Sequence, residues 1–115
     1  MINKIKNIFP EFKESRFYNK EHENLPNIFV GDFGDFAVDE IEKGNTSEVE
    51  KIINFINSTY EDLDDEGKNL IWIGVFEVVA GNKKWHSVLL KNLKESVKTE
   101  YFRRFEKQEV SGIFD

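Results

Sequence analysis

The chain of 115 residues carries 16 basic and 22 acidic side chains, a formal net charge of −6, and no cysteine. A chain of this length forms one domain, here residues 1–115, and buries about two-thirds of its surface without a disulfide or a structural metal. Charges and Pro10 interrupt the N-terminus before an apolar stretch of signal-peptide length, so we expect no secretory leader and a cytoplasmic protein.

The charge is divided unevenly along the chain. Residues 1–66 carry 16 acidic and 7 basic side chains, whereas residues 67–115 carry 6 acidic and 9 basic ones. The N-terminal part, with a net charge of −9, is therefore a poor candidate for contacts with nucleic-acid phosphates. It suits a basic protein partner, although a solvated acidic surface is the commoner explanation of such an imbalance.

Proline and glycine divide the first part of the chain into helices. Pro10 cannot lie inside a continuous helix, so we predict a short helix to Ile8 and a second one that starts at Pro10. Residues 19–24 are polar and predict a loop. Pro26 opens the next helix, which we expect to end near Lys43 with Gly44 as its stop.

The helix that starts at Pro26 has an apolar face and an acidic face. The apolar face consists of Phe29, Phe33, Phe36, Ala37 and Ile41, and the acidic face of Asp32, Asp35, Asp39 and Glu42. Glu40 falls in the apolar sector. The favoured interpretation is that it reaches water or a lysine, and the alternative is a buried functional carboxylate.

The following helix begins after residues 45–47, where Ser47 and Glu50 have the spacing of a capping box. Its apolar stripe consists of Val49, Ile52, Ile53, Ile56 and Tyr60. An acidic connection, residues 61–67, then leads to the most apolar stretch of the chain.

Residues 69–81 are apolar almost without interruption, and periodicity leaves a helix and a core strand both open. The preceding acidic run and Gly81 favour a helix over residues 68–80, because acids stabilise a helix N-terminus and glycine ends a helix. Its apolar residues surround the whole axis, which predicts burial on all sides. At about a dozen residues, the stretch is too short to span a bilayer.

Two further helices are predicted, one capped by Asn82 and one starting near Ser96. The first turns Trp85, Val88, Leu89 and Leu93 inward, and the second turns Val97, Tyr101 and Phe105 inward. We therefore predict an all-α fold, a compact bundle of five to six helices around the central one, with helical hairpins that are able to stack.

No pattern of catalytic or metal-binding residues emerges. The acidic connection begins like an EF-hand loop, but position twelve, which must be a bidentate carboxylate, is Ile73. His22 and His86 have no second ligand at zinc spacing, and glycine-rich phosphate loops and nucleophile elbows are absent from the sequence. Residues 31–34 instead predict close helix packing, and we expect no metal, no cofactor and no enzymatic activity.

Glu77 is the one carboxylate that leaves a reaction open. It lies among Phe76, Val78 and Val79 in the central helix, and a buried carboxylate there is a candidate acid–base group. A structural role, in which Glu77 pairs with a cation or points to the mouth of a cleft, is favoured over catalysis.

Several short motifs lie between Phe9 and Glu77: Phe9-Pro10-Glu11-Phe12, Leu25-Pro26, Gly31-Asp32-Phe33, the segment from Ile41 to Gly44, Glu48-Val49, Asn54-Phe55-Ile56-Asn57, Asn69-Leu70-Ile71 and Gly74-Val75-Phe76-Glu77. Taken together, these motifs resemble a family of small, acidic, all-helical immunity proteins from bacterial polymorphic-toxin and contact-dependent growth-inhibition loci. The resemblance covers residues 5–80 and implies a cytoplasmic protein that binds and neutralises a cognate toxin domain.

A toxin that attacks nucleic acid has a basic cleft, and an acidic immunity surface would mimic the phosphate backbone and accelerate encounter. The candidate partner-binding residues are Asp32, Asp35, Asp39 and Glu42, with Asp62, Asp64 and Asp65 after the next helix. We expect the partner to be a basic toxin domain, with a nuclease as the favoured class, and we expect no binding to nucleic acid or to a membrane. The alternative is a helical adaptor that binds a basic or amphipathic segment without catalysing a reaction.

Overall fold

The computed structural model describes residues 1–108, with the side chains of residues 80 and 105–108 excepted. That range contains seven helices and no strand, so the predicted all-α fold is confirmed. The helices are α1 (Ile2–Ile8), α2 (Pro10–Lys13), α3 (Pro26–Glu42), α4 (Thr46–Thr59), α5 (residues 65–80), α6 (Lys83–Asn92) and α7 (Glu95–Gln108). None of the described helices is long and apolar enough to cross a membrane.

Most helix ends follow the local signals in the sequence. Pro10 and Pro26 occupy the first position of α2 and α3, where a missing N–H is tolerated. Gly44 follows α3 with a φ of 76°, a conformation that other residues rarely adopt. The side chain of Asn82 accepts a hydrogen bond from the Trp85 amide at 3.1 Å and caps α6, as predicted.

Two local predictions are wrong. Residues 20–24 form a 3₁₀ turn, Lys20–Asn24, rather than an open loop, because the Asn19 side chain accepts from the Glu21 amide at 2.9 Å. The capping box at Ser47 is also absent. Helix α4 begins at Thr46, so Ser47 lies inside its first turn, where its hydroxyl contacts the Asn45 side chain at 3.1 Å.

Helix α5 is the central helix that the sequence predicts. It consists of three consecutive segments, an α-helical Asp65–Ile71, a π-helical Trp72–Phe76 and an α-helical Glu77–Ala80. It runs parallel to α3. Gly74 lies against Val30 and Gly34, and the side-chain amide of Asn82, just beyond α5, donates a hydrogen bond of 2.7 Å to Glu42 at the end of α3.

The crossing of α3 and α5 is close because two glycines meet there. A methyl group built on Gly34 would collide with the Gly74 carbonyl oxygen, and one built on Gly74 would lie 2.8 Å from Val30 Cβ. The predicted close packing is confirmed for Gly34. It does not extend to Gly31, where an added Cβ meets no atom within 4 Å.

Burial of α5 on all sides, in contrast, is wrong. Ile71, Trp72, Val75, Phe76 and Val79 are buried, but Ile73 is 50% exposed. Asn69 and Glu77, one turn to either side of Ile73, are exposed as well. The central helix therefore shows one stripe to solvent, and every other sector faces the protein.

The core is largely aromatic and contains buried residues from Ile5 to Tyr101. Phe9, Phe12, Phe33 and Phe55 form one cluster of ring contacts, and Trp72, Phe76 and Tyr101 form another. The indole N–H of Trp85 donates to the Ala37 carbonyl at 2.7 Å and ties α6 to α3.

The predicted apolar stripes agree with this core. All five stripe residues of α4 are buried, as are Trp85, Leu89, Leu93, Val97 and Tyr101, whereas Val88 is half-buried. Phe55 is buried although the predicted stripe omits it. The inward side chain predicted at Phe105 lies outside the described side chains.

Candidate functional site

The four acidic residues predicted on α3 do lie along its outer side, but most of them have partners within the chain. The Asp32 carboxylate lies 2.6 Å from Nδ1 of His22 in the 3₁₀ turn. Asp39 contacts the Lys43 ammonium at 3.1 Å and the Arg16 guanidinium at 3.8 Å. These two carboxylates are only partly exposed, with 19% and 26% of the side-chain surface accessible.

Glu42, at the end of α3, is also engaged within the chain. Its carboxylate accepts hydrogen bonds from the side-chain amide of Asn82 at 2.7 Å and from the Lys84 ammonium at 3.2 Å. Both hydrogen bonds lower the pKa of Glu42. The contacts join the acidic half of the chain to the basic half.

Asp35 is the exception on α3. It is exposed and forms no ion pair among the described residues. Partial burial, followed by the nearby charge of Asp32, raises the pKa of Asp35, because both disfavour the ionised carboxyl group. Of the four predicted α3 acids, Asp35 is therefore the carboxylate most readily available to a cation from outside.

The second acidic cluster begins α5. Asp62 ends the 3₁₀ turn Tyr60–Asp62 and Asp65 is the first residue of α5, both exposed. Asp64 has a structural role, because its carboxylate accepts from the Gly67 amide at 2.8 Å and caps the helix.

The two predicted clusters do not form one continuous surface. Because α3 and α5 are parallel, Asp64 and Asp65 lie near the beginning of the pair, where Glu66 and Leu70 share a surface depression with Pro26. Glu42 lies at the other end, about 25 Å away at 1.5 Å per residue.

The outer side of the α3–α5 pair contains exposed residues that the sequence prediction did not assign to a binding surface. Ile28, Gly31 and Asp35 follow one another at helical spacing on α3, and Asn69, Ile73 and Glu77 do so on α5. All are exposed except Gly31, which is half-exposed and has open space above its Cα. We call these six residues the α3–α5 face.

Two contacts show that the face is shared by both helices. At its beginning, Asn27 of α3 and Asn69 of α5 line the same depression of about 310 Å³. At its end, Glu42 of α3 meets Asn82 just beyond α5. The sequence contains one signal for this surface, since neither residues 26–42 nor residues 69–82 include a Lys or Arg.

Glu77 belongs to this exposed face. Its sequence neighbours Phe76 and Val79 are buried, whereas Glu77 itself is exposed. The burial that the disfavoured acid–base alternative requires is therefore absent.

The buried carboxylates lie elsewhere, at the turn between α3 and α4. Glu40 is 4% exposed and accepts from Asn45 at 2.7 Å and from Lys43 at 3.4 Å. The lysine predicted for Glu40 is present, but the carboxylate is buried and does not reach past a rim. Glu48, which the sequence prediction overlooks, is also 4% exposed, and its Oε1 has no hydrogen-bond partner among the described residues.

The two histidines are separated and each contacts a side chain of the fold. His22 pairs with Asp32, and Nδ1 of His86 lies 2.9 Å from the Tyr101 hydroxyl. Burial lowers the pKa of His86, which favours a neutral ring that accepts from this hydroxyl. In the described part of the chain, no group of three or more His, Asp or Glu side chains is placed to hold a metal ion.

Comparison with protein families places the chain in one of them. It belongs to the family described as a domain of unknown function, DUF7674, whose profile matches residues 2–108. Searches of curated proteins and of solved structures gave no significant match.

Proposed function

We propose that this protein binds another protein and neutralises it, as an immunity protein does with its cognate toxin domain. The observation that carries the proposal is the set of exposed carboxylates that have no cationic partner among the described residues. It includes Asp35, Asp62, Asp65, Glu66 and Glu77. No chemical step is required for this role.

Exposed carboxylates of this kind suit a basic partner. A nuclease toxin binds phosphates with Lys and Arg, and a rigid acidic surface competes for the same side chains. The surrounding field also accelerates association, which then depends on ionic strength. Because the carboxylates lie on helices, little ordering entropy is lost when a partner binds them.

The test is protection of cells by this gene against the product of the adjacent gene. We expect coexpression to restore growth, and the purified proteins to form a complex whose association slows as salt is raised. A neighbouring product that is not toxic, or a toxin that kills equally in the presence of this protein, would refute the proposal.

A helical adaptor that binds an endogenous segment is the second candidate. Ile28 of α3 and Ile73 of α5 are 47% and 50% exposed and favour it, because exposed apolar side chains on a pair of packed helices accept the apolar face of an amphipathic helix. Gene neighbourhood separates the two functions, since immunity alone requires an adjacent toxin gene.

A further inference from the structure

We propose that the α3–α5 face is the docking site for a basic, amphipathic helix of the partner. This inference rests on the proposed function where it identifies the partner as the toxin. The surface and the chemistry of the docked helix are argued independently of it.

The charge of the face excludes an acidic partner. Helix α3 and residues 69–82 contain no Lys or Arg, so no cation on either segment is available to neutralise Asp35 and Glu77. Neither carboxylate forms an ion pair among the described residues, whereas Asp32, Asp39 and Glu42 on the flanks of α3 are engaged. Lys or Arg side chains along the rim of a docked helix would supply the missing partners.

The shape of the face suits a helix. Ile73 and Ile28 provide exposed apolar surface on α5 and α3, and Gly31 lies on α3 with open space above it. A glycine within a helix is destabilising relative to alanine, and no contact among the described residues requires one at position 31. The absent side chain leaves room for the backbone of a partner helix to approach α3 closely.

The length of the face is sufficient for specific recognition. Helix α3 has 17 residues, and a helix of that length extends about 25 Å. A docked helix of about four turns would present apolar residues at positions i, i+3, i+4 and i+7 to the two isoleucines and Gly31. Basic residues on either side of that stripe would face the two carboxylates.

Charge reversal and an apolar-to-acidic change test the face in the full chain. The variants are Asp35→Lys with Glu77→Lys, and separately Ile73→Glu. The matched control is Glu14→Lys with Glu50→Lys, which reverses two exposed carboxylates that form no ion pair among the described residues and lie just after α2 and on α4. All changed side chains are at the surface, and circular-dichroism melting checks that each variant folds.

The probe is the toxin domain encoded beside this gene. We expect both face variants to weaken its binding at least about tenfold and the control to retain wild-type affinity within about twofold. Wild-type affinity in both face variants would overturn the docking site while leaving the immunity function intact.

A photo-crosslinking arm separates failure of the site from failure of the function. A benzophenone amino acid is placed at position 31 or 73, with position 50 as the control, in cells of the source organism. If the toxin does not bind, a specific crosslink from 31 or 73 to another basic protein, lost in the Asp35→Lys, Glu77→Lys variant, supports the site and refutes immunity. Crosslinks to an acidic protein or a second copy of this chain, or none beyond the control, overturn the docking site.

Discussion

Two buried carboxylates, Glu40 and Glu48, lie on either side of the turn between α3 and α4 and differ in how they are stabilised. Glu40 accepts two hydrogen bonds, from Asn45 and Lys43. Glu48 is 3.5 Å from the Lys51 ammonium, which also contacts Glu11 at 3.2 Å. The Glu48 Oε1 atom accepts no hydrogen bond in the described structure, and burying an incompletely hydrogen-bonded carboxylate is costly, so Glu48 is a source of instability at neutral pH.

Glu48→Gln is expected to stabilise the protein more at pH 7 than at pH 4. Burial raises the pKa of Glu48 above its ordinary value near 4.5. The stability associated with the protonated form is therefore present below that value and is lost as pH rises through the folded-state pKa. Urea denaturation at the two pH values measures the difference.

Glu40→Gln is the control, because Glu40 is equally buried but hydrogen-bonded. It replaces one acceptor oxygen with an amide donor facing Asn45 or Lys43, which should lower the free energy of unfolding at pH 7 by about 1–3 kcal/mol. If both substitutions lower the free energy of unfolding equally, the instability assigned to the buried Glu48 carboxylate is incorrect.

The hydroxyl of Tyr60 offers a second test at a single residue. It is buried without a hydrogen-bond partner in the described structure, and burial raises the pKa of Tyr60. Tyr60→Phe should leave the unfolding free energy unchanged or raise it by about 0.5–1 kcal/mol, because it removes an unsatisfied polar atom. Tyr101→Phe, which removes the partner of His86, should lower it by about 1–2 kcal/mol. Thermal unfolding that ranks these two variants in the opposite order would contradict both assignments.

At the scale of the helices, Gly31 and Gly34 lie three residues apart on α3, but only Gly34 packs closely against α5. Gly31→Ala should raise the unfolding free energy by about 1 kcal/mol, since the new methyl group meets open space and alanine favours helix. Gly34→Ala should lower it by about 2 kcal/mol or more, because the methyl group collides with the Gly74 backbone.

The glycine pair is informative because both substitutions improve helix propensity equally. Any difference in their denaturation midpoints therefore measures the packing of α3 against α5 rather than an intrinsic preference. Equal gains from both would mean that the two helices are not in close contact at this point.

The boundaries of the helices were largely predictable from the sequence because their signals are local. Pro10, Pro26, Gly44 and Asn82 act through their own backbone conformation or a hydrogen bond within one turn. Exposure of Ile73 was not predictable in this way. It depends on which sector of α5 the other helices leave uncovered, and an apolar residue on that sector has the same sequence signature as a core residue.

At the scale of the whole molecule, the acidic and basic parts of the chain are packed into each other. Gly34 contacts Gly74, Ala37 accepts from Trp85, and Glu42 pairs with Lys84. The division at residue 66 seen in the charge distribution is therefore not a structural boundary.

A fragment of residues 1–66 is expected to lack cooperative thermal unfolding by circular dichroism. It would expose Val30 and Ala37, against which Gly74 of α5 and Trp85 of α6 pack in the intact chain, and so could not bury enough apolar surface to offset chain entropy. A fragment of residues 1–108, which retains the described core, is the control and should unfold cooperatively. A sharp transition in the shorter fragment would show that the acidic half folds alone.

The candidate site was predictable only in part for the same reason. Asp32, Asp39 and Glu42 were correctly placed on the outer side of α3, but their partners include residues up to 42 positions away, which a helical wheel does not include. The absence of Lys and Arg from residues 26–42 and 69–82 was visible in the sequence, yet its meaning depends on the parallel crossing that places these two segments side by side.

The same absence makes the crossing accessible to peptide mapping. Trypsin cuts only after Lys or Arg, so α3 and the part of α5 from residue 69 onward are recovered in two uninterrupted peptides, residues 21–43 and 69–83, however far the chain is digested. Carbodiimide labelling of exposed carboxyl groups followed by tryptic digestion would therefore report Asp35 and Glu77 in a single pair of peptides. A partner that covers the outer side of these helices would reduce the labelling of both peptides together.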